Sequence, residues 1–106
     1  MPTLSMDFKR KAAEIYQKGK NELEKFDPKA MEAFSIEILE MSNEEKNNSK
    51  ALHDLEILEY NMKLLQNYSV ALMKYKSGTD EFDFTQNDCK NIIDSTKKWL
   101  KLEGLL

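Results

Sequence analysis

The chain has 106 residues, 41% of them hydrophobic and 33% charged, with only 3 Gly and 2 Pro. That length suits one domain around one core, and the composition favours helix over sheet. A formal net charge of -3 sets the overall field against nucleic acid and anionic membrane as partners. A single cysteine, Cys89, allows no internal disulfide. The N-terminus lacks the basic stretch and apolar run of a secretory signal, and no apolar run approaches the roughly 20 residues of a transmembrane helix. A reducing cytoplasm is the expected address.

Stop signals and apolar spacing predict four helices in one mostly antiparallel bundle, an all-α fold with a long third helix. The first runs from Met6 to Phe26, with Phe8, Ala12, Ile15, Gly19, Leu23 and Phe26 on one stripe. Asp27-Pro28 ends it and starts the next, Asp27 as N-cap and Pro28 at the first helical position. That second helix is expected to reach Met41.

The wholly polar stretch from Ser42 to Lys50 offers nothing to a core and is expected to be a connection. Ser42 with Glu45 three residues on could nevertheless act as a capping box for the third helix. One unbroken helix through the stretch is the alternative, because Phe34, Ile38 and Met41 keep phase with Leu52 and Leu55. The third helix extends to Lys76, with Gly78 as its left-handed stop. The fourth is expected to start at Thr85 as N-cap, with Phe84 stapled against Cys89 and Phe82 as a lid on the bundle. Along it Cys89, Ile92, Thr96 and Trp99 form a stripe widened by Ile93 and Leu100, and Gly104 ends it.

Apolar surface is unevenly shared among these helices. The third carries a core seam of Ala51, Leu55, Leu58, Met62, Leu65 and Leu72. It also carries a second seam, His53, Ile57, Tyr60, Leu64, Tyr68, Ala71 and Tyr75, again spaced by fours and threes. On the second helix, Ile36 and Leu39 face away from Met31, Phe34, Ile38 and Met41. Three occupants suit the second seam: the fourth helix of the same chain, a second copy in a two-fold homodimer, or a helix of a different protein. The candidate interaction surface is therefore Ile36, Leu39, Ile57, Tyr60, Leu64, Tyr68 and Tyr75.

Charge is uneven too. From Ala30 to Asn61 only Lys46 and Lys50 oppose eight acids. Such a block either solvates helix faces opposite the more basic first helix or steers a basic partner.

Catalysis needs convergent groups, and few are present. One His and one Cys exclude a helical di-metal centre and any zinc site built from several such ligands. The dispersed glycines exclude a phosphate loop. No metal, cofactor or catalytic residue is expected, so the chain is read as a non-enzyme. A Cys89–His53 nucleophile pair is open only if the fold brings the two together.

Three short resemblances accompany this reading. His53-Asp54 on a long helix is similar to the phosphoacceptor of histidine phosphotransfer bundles, which implies signalling through His53; Leu55-Glu56-Ile57 departs from the Lys and Gly common after that His. Leu55 to Lys63 is similar to part of the helical lid of the large heat-shock chaperones, whose remaining lid and substrate domain are absent here. The size, the four-helix layout and the Phe84-Thr85 opening of the last helix resemble small bacteriocin immunity proteins. That resemblance implies protection by binding, without catalysis. The function expected from the residues is a protein–protein interaction module acting through helices two and three.

Overall fold

The computed structural model describes residues 3–106. They form α1 (Met6–Lys18), α2 (Lys20–Glu24), α3 (Pro28–Glu45), α4 (Leu52–Lys74) and α5 (Asp80–Leu102), with no strand among them. The predicted first helix is split at Gly19 into α1 and the short α2.

Local chemistry accounts for most boundaries. Ser5 caps α1 by accepting from the Phe8 amide at 3.2 Å. Asp27 caps α3 by accepting from Ala30 at 3.1 Å, with Pro28 in the first turn. The chain turns between α2 and α3 at Phe26, whose φ is 56°. There the Phe26 amide bonds back to the Leu23 carbonyl and the Asp27 amide to that of Glu22, the bond pair of a Schellman stop. Gly104, at φ 75°, ends α5 with the same pair, its own amide to Lys101 and that of Leu105 to Leu100. Glycine takes this backbone without the steric penalty that a phenylalanine incurs.

Several predicted boundaries are corrected, and one is the end of the third predicted helix: α4 stops at Lys74 with Tyr75 as its extended C-cap, and Gly78, left-handed at φ 87°, lies in the turn beyond. The second predicted helix does not stop at Met41; α3 runs on through the polar stretch to Glu45, and the connection is 46–51. Ser42 is no cap. It is fully buried within α3, and its hydroxyl donates to the Ile38 carbonyl at 2.9 Å. Glu45 is also buried and accepts from the Ser5 amide at 2.7 Å and the Ser5 hydroxyl at 2.9 Å. This clamp ties the N-terminal segment to the end of α3, helped by the Ser49 hydroxyl donating to the Thr3 carbonyl at 3.0 Å. Glu45→Ala should lower stability by about 1.5–3 kcal/mol, the range for hydrogen bonds to a charged group. A urea midpoint equal to that of the parent would show that the clamp contributes nothing.

The last helix begins before Thr85. Its N-cap is Thr79, which accepts from the Phe82 amide at 3.3 Å, and Asp80, Glu81 and Asp83 crowd the first turn, where the helix dipole favours acids. Thr85 lies inside α5. Phe82 packs on the core, but Phe84 is 72% exposed, so no staple to Cys89 forms. Phe84→Ser is accordingly expected to change stability by less than about 0.5 kcal/mol in thermal unfolding. A loss of several times that would mean the ring is buried.

The helices build an elongated body of 45 × 22 × 19 Å. α4 packs most extensively on α3 and next on α5, while α1 and α2 lie against α3. The main core includes Tyr16, Leu23, Met31, Phe34, Ile38, Met62, Leu65, Cys89, Ile93 and Leu100. Within it Tyr16 meets Phe34 edge to face at 6.3 Å, an arrangement that adds to simple burial. A smaller cluster of Leu4, Phe8, Ala51 and Leu55 closes one end, and Met41, Leu58 and Trp99 pack against both clusters. The buried serine and threonine hydroxyls of the helices are satisfied within their own helices: Ser35 donates to Glu32, Ser69 to Leu65 and Thr96 to Ile92. Small side chains that bond back to their own backbone let neighbouring helices approach without stranding polar atoms.

Candidate interaction surface

The period of α4 decides which residues face inward. Leu55, Glu59, Met62, Leu65, Ser69 and Leu72 recur by fours and threes and are buried, a single stripe along the helix. The predicted second seam falls largely on the other side. Ile57 is 50% exposed, Tyr60 65% and Tyr75 43%, while Leu64, Tyr68 and Ala71 are half-buried and His53 is exposed. Tyr68 leans onto the main core. On α3, Ile36 and Leu39 are half-buried, and Leu39 also packs on that core. Ile57, Tyr60, Leu64, Tyr68 and Ala71 are successive neighbours on α4, and Tyr75 follows them as its extended C-cap. The strongest candidate surface is thus the outer face of α4, with Ile57, Tyr60 and Tyr75 most open.

Beside Ile57 a cleft of about 420 Å³ opens between the N-terminal segment, α1, α4 and α5. Leu4, Ile57, Leu58 and Trp99 supply its apolar wall, and Lys9, Asp54, Asn61 and Glu103 are among its polar groups, beside the hydroxyl residues Thr3, Ser95 and Thr96. Lys9 and Glu103 neutralise one another in a 2.8 Å ion pair that joins α1 to the end of α5. Asp54 makes no ion pair among the described residues. Neither His53 nor Cys89 lines the cleft. It was not foreseen, because its walls come from both ends of the chain and only Ile57 belonged to a periodic surface pattern.

The electrostatics elsewhere are structural. Lys46 pairs with Glu59 at 2.9 Å, and Lys97 pairs with Glu24 at 3.1 Å. The Lys97 hydrogen bond holds the Glu24 carboxyl below its usual range, and Glu24 in turn holds Lys97 above its own. None of the three ion pairs among the described residues joins the α1 lysines to the acidic middle. Tyr16 is buried beneath the Lys97–Glu24 region with no hydrogen-bond partner within bonding geometry for its hydroxyl. Burial pushes its phenol upward, opposed by the nearby Lys97 charge.

Cys89 is fully buried, and burial pushes its thiol up to about 11. An activated nucleophile needs the opposite shift and access to substrate. His53 sits in the exposed first turn of α4, so the fold does not assemble a Cys–His pair. No group of three or more His, Cys, Asp or Glu among the described residues could hold a metal ion. No helix among them is long and apolar enough to cross a membrane. No protein-family model, curated protein or solved structure matches the chain.

Proposed function

We propose that this protein acts without catalysis, as a cytoplasmic helical interaction module that docks through the outer face of α4. In this reading α1 and α2 together make the first helix of a mostly antiparallel four-helix arrangement, and α3 and α5 hold α4 so that one side remains free. The observation that supports it is the row of Ile57, Tyr60 and Tyr75, each between 43% and 65% exposed, bordered by half-buried Leu64 and Tyr68. Isolated exposed apolar residues are ordinary, but a contiguous apolar row on one helix face is characteristic of a surface that meets another protein. Tyrosine suits such contacts because it offers a large rigid area with a polar tip.

The test is the double substitution Ile57→Glu with Leu64→Glu, followed by circular dichroism and solution mass. Helicity is expected to stay at the parental value while association is lost. Global unfolding would contradict the proposal, because it would place both residues in the protein's own core. His53 phosphotransfer and immunity-type binding remain weaker readings. The exposed imidazole suits the former only in accessibility, and its α4 neighbours Asp54 and Glu56 oppose a phosphate.

A further inference from the structure

We infer that the occupant of the α4 outer face is a second copy of this chain, related by a two-fold axis with the two α4 helices antiparallel. The inference rests on reading that face as a docking surface and adds the identity and register of what covers it.

Two independent patterns in α4 and its C-cap Tyr75 point to this. The first is the order of the apolar row. Ile57 and Tyr75 are equidistant from Gln66, as are Leu64 and Tyr68, and Tyr60 and Ala71 match to within one residue. A two-fold axis beside Gln66 sets each residue against its counterpart: Ile57 on Tyr75, Tyr60 on Ala71, Leu64 on Tyr68. Large side chains thereby meet smaller or half-buried ones along the contact. Self-complementarity of this kind is what an isologous interface requires.

The second pattern is charge. Apart from Glu59, which is buried and paired with Lys46, the N-terminal half of α4 carries exposed Asp54 and Glu56 and no Lys or Arg, whereas from Met62 to Lys74 there are Lys63 and Lys74 and no acid. Parallel pairing would set like on like, and antiparallel pairing sets acid on base. One exposed flank of the apolar row is formed by Glu56, Lys63, Asn67 and Lys74. In an antiparallel helix pair the same flank of each helix meets. Glu56 then faces Lys74 of the other copy twice over, and Lys63 faces Asn67; the centre of these pairs, Leu65, lies one residue from that of the apolar row. A different protein would need none of this internal symmetry.

α4 spans 23 residues, about 34 Å at 1.5 Å per residue. One helix pair of that length covers only part of the roughly 800 Å² per partner found in stable complexes, so the dimer belongs to the transient class.

Sedimentation equilibrium of the parent, Glu56→Lys, Lys74→Glu, the double swap and Tyr60→Glu tests the inference, with helicity measured alongside. The parent mass should rise from 12.4 kDa toward twice that with concentration. Each single swap should weaken association on the order of 10-fold, because the symmetry makes each change act twice. The double swap should restore it, and Tyr60→Glu should abolish it with helicity intact. A parent that stays monomeric at every concentration overturns the second copy as occupant, and dimers without rescue in the double swap overturn the register. The broader docking reading falls on a different result, unfolding of Tyr60→Glu.

Discussion

Leu65→Ala is expected to destabilise the protein by about 2–5 kcal/mol, while Leu64→Ala, one residue away, is expected to cost less than about 1 kcal/mol. Leu65 is fully buried in the main core, so truncation removes the transfer energy of its lost methyl groups and leaves a cavity among close-packed neighbours. Leu64 is half-buried and outside that core, so water fills the space its side chain leaves. A domain of this size has a total stability of about 5–15 kcal/mol, and the first change consumes much of it. Urea unfolding of the two variants measures the contrast directly. Equal losses would mean that α4 is rotated from the orientation described and that its outer row is core.

Cys89 is expected to be inert to thiol reagents in the folded protein at neutral pH and to react at a normal rate once the chain is unfolded. It is fully buried. Burial raises its thiol from an ordinary value of 9.0 to about 11, with the Ser69 hydrogen bond pulling down and the Asp88 charge pushing up. That shift alone lowers the thiolate fraction at neutral pH about 100-fold.

The same shift links stability to alkaline pH. Between 9.0 and about 11 the folded chain keeps a proton that the unfolded chain releases, so this contribution is fully present below the lower value and is lost as pH rises through the upper one. The loss is on the order of 2 kcal/mol. Tyr16, whose phenol is also raised by burial, adds to the alkaline loss, so the comparison with Cys89→Ala isolates the thiol. Urea midpoints of both proteins at about pH 8 and about pH 10.5 should converge at the higher pH as the parent loses its advantage. Identical pH slopes would contradict the buried, protonated thiol.

Features governed by near neighbours in sequence were legible before any coordinates. Asp27-Pro28 starts α3 and Gly104 ends α5 as expected, because a cap or a left-handed residue acts within a few positions. The inward stripe of α4 and a second row offset from it followed from period alone. The start of α5 was misplaced because Phe84-Thr85 resembles a staple and cap, while the acids that follow Thr79 carry the true N-terminal signal. The helical character of Ser42 to Glu45 was legible only as the unbroken-helix alternative, for another reason. Glu45 is satisfied by Ser5, forty positions away, and no local pattern announces such a partner. The cleft beside Trp99 needed the same long-range knowledge, since Leu4, Lys9, Ile57 and Glu103 meet there only after folding.

Amide spectra of labelled protein on dilution from about 1 mM to about 10 µM, a range that spans transient association, test the shared α4 surface most directly. Resonances of Ile57, Tyr60, Leu64 and Tyr75 should move together while those of Met31, Ile38 and Met62 stay fixed. Spectra that do not change with concentration, or shifts gathered instead around Trp99 and Glu103, would contradict it.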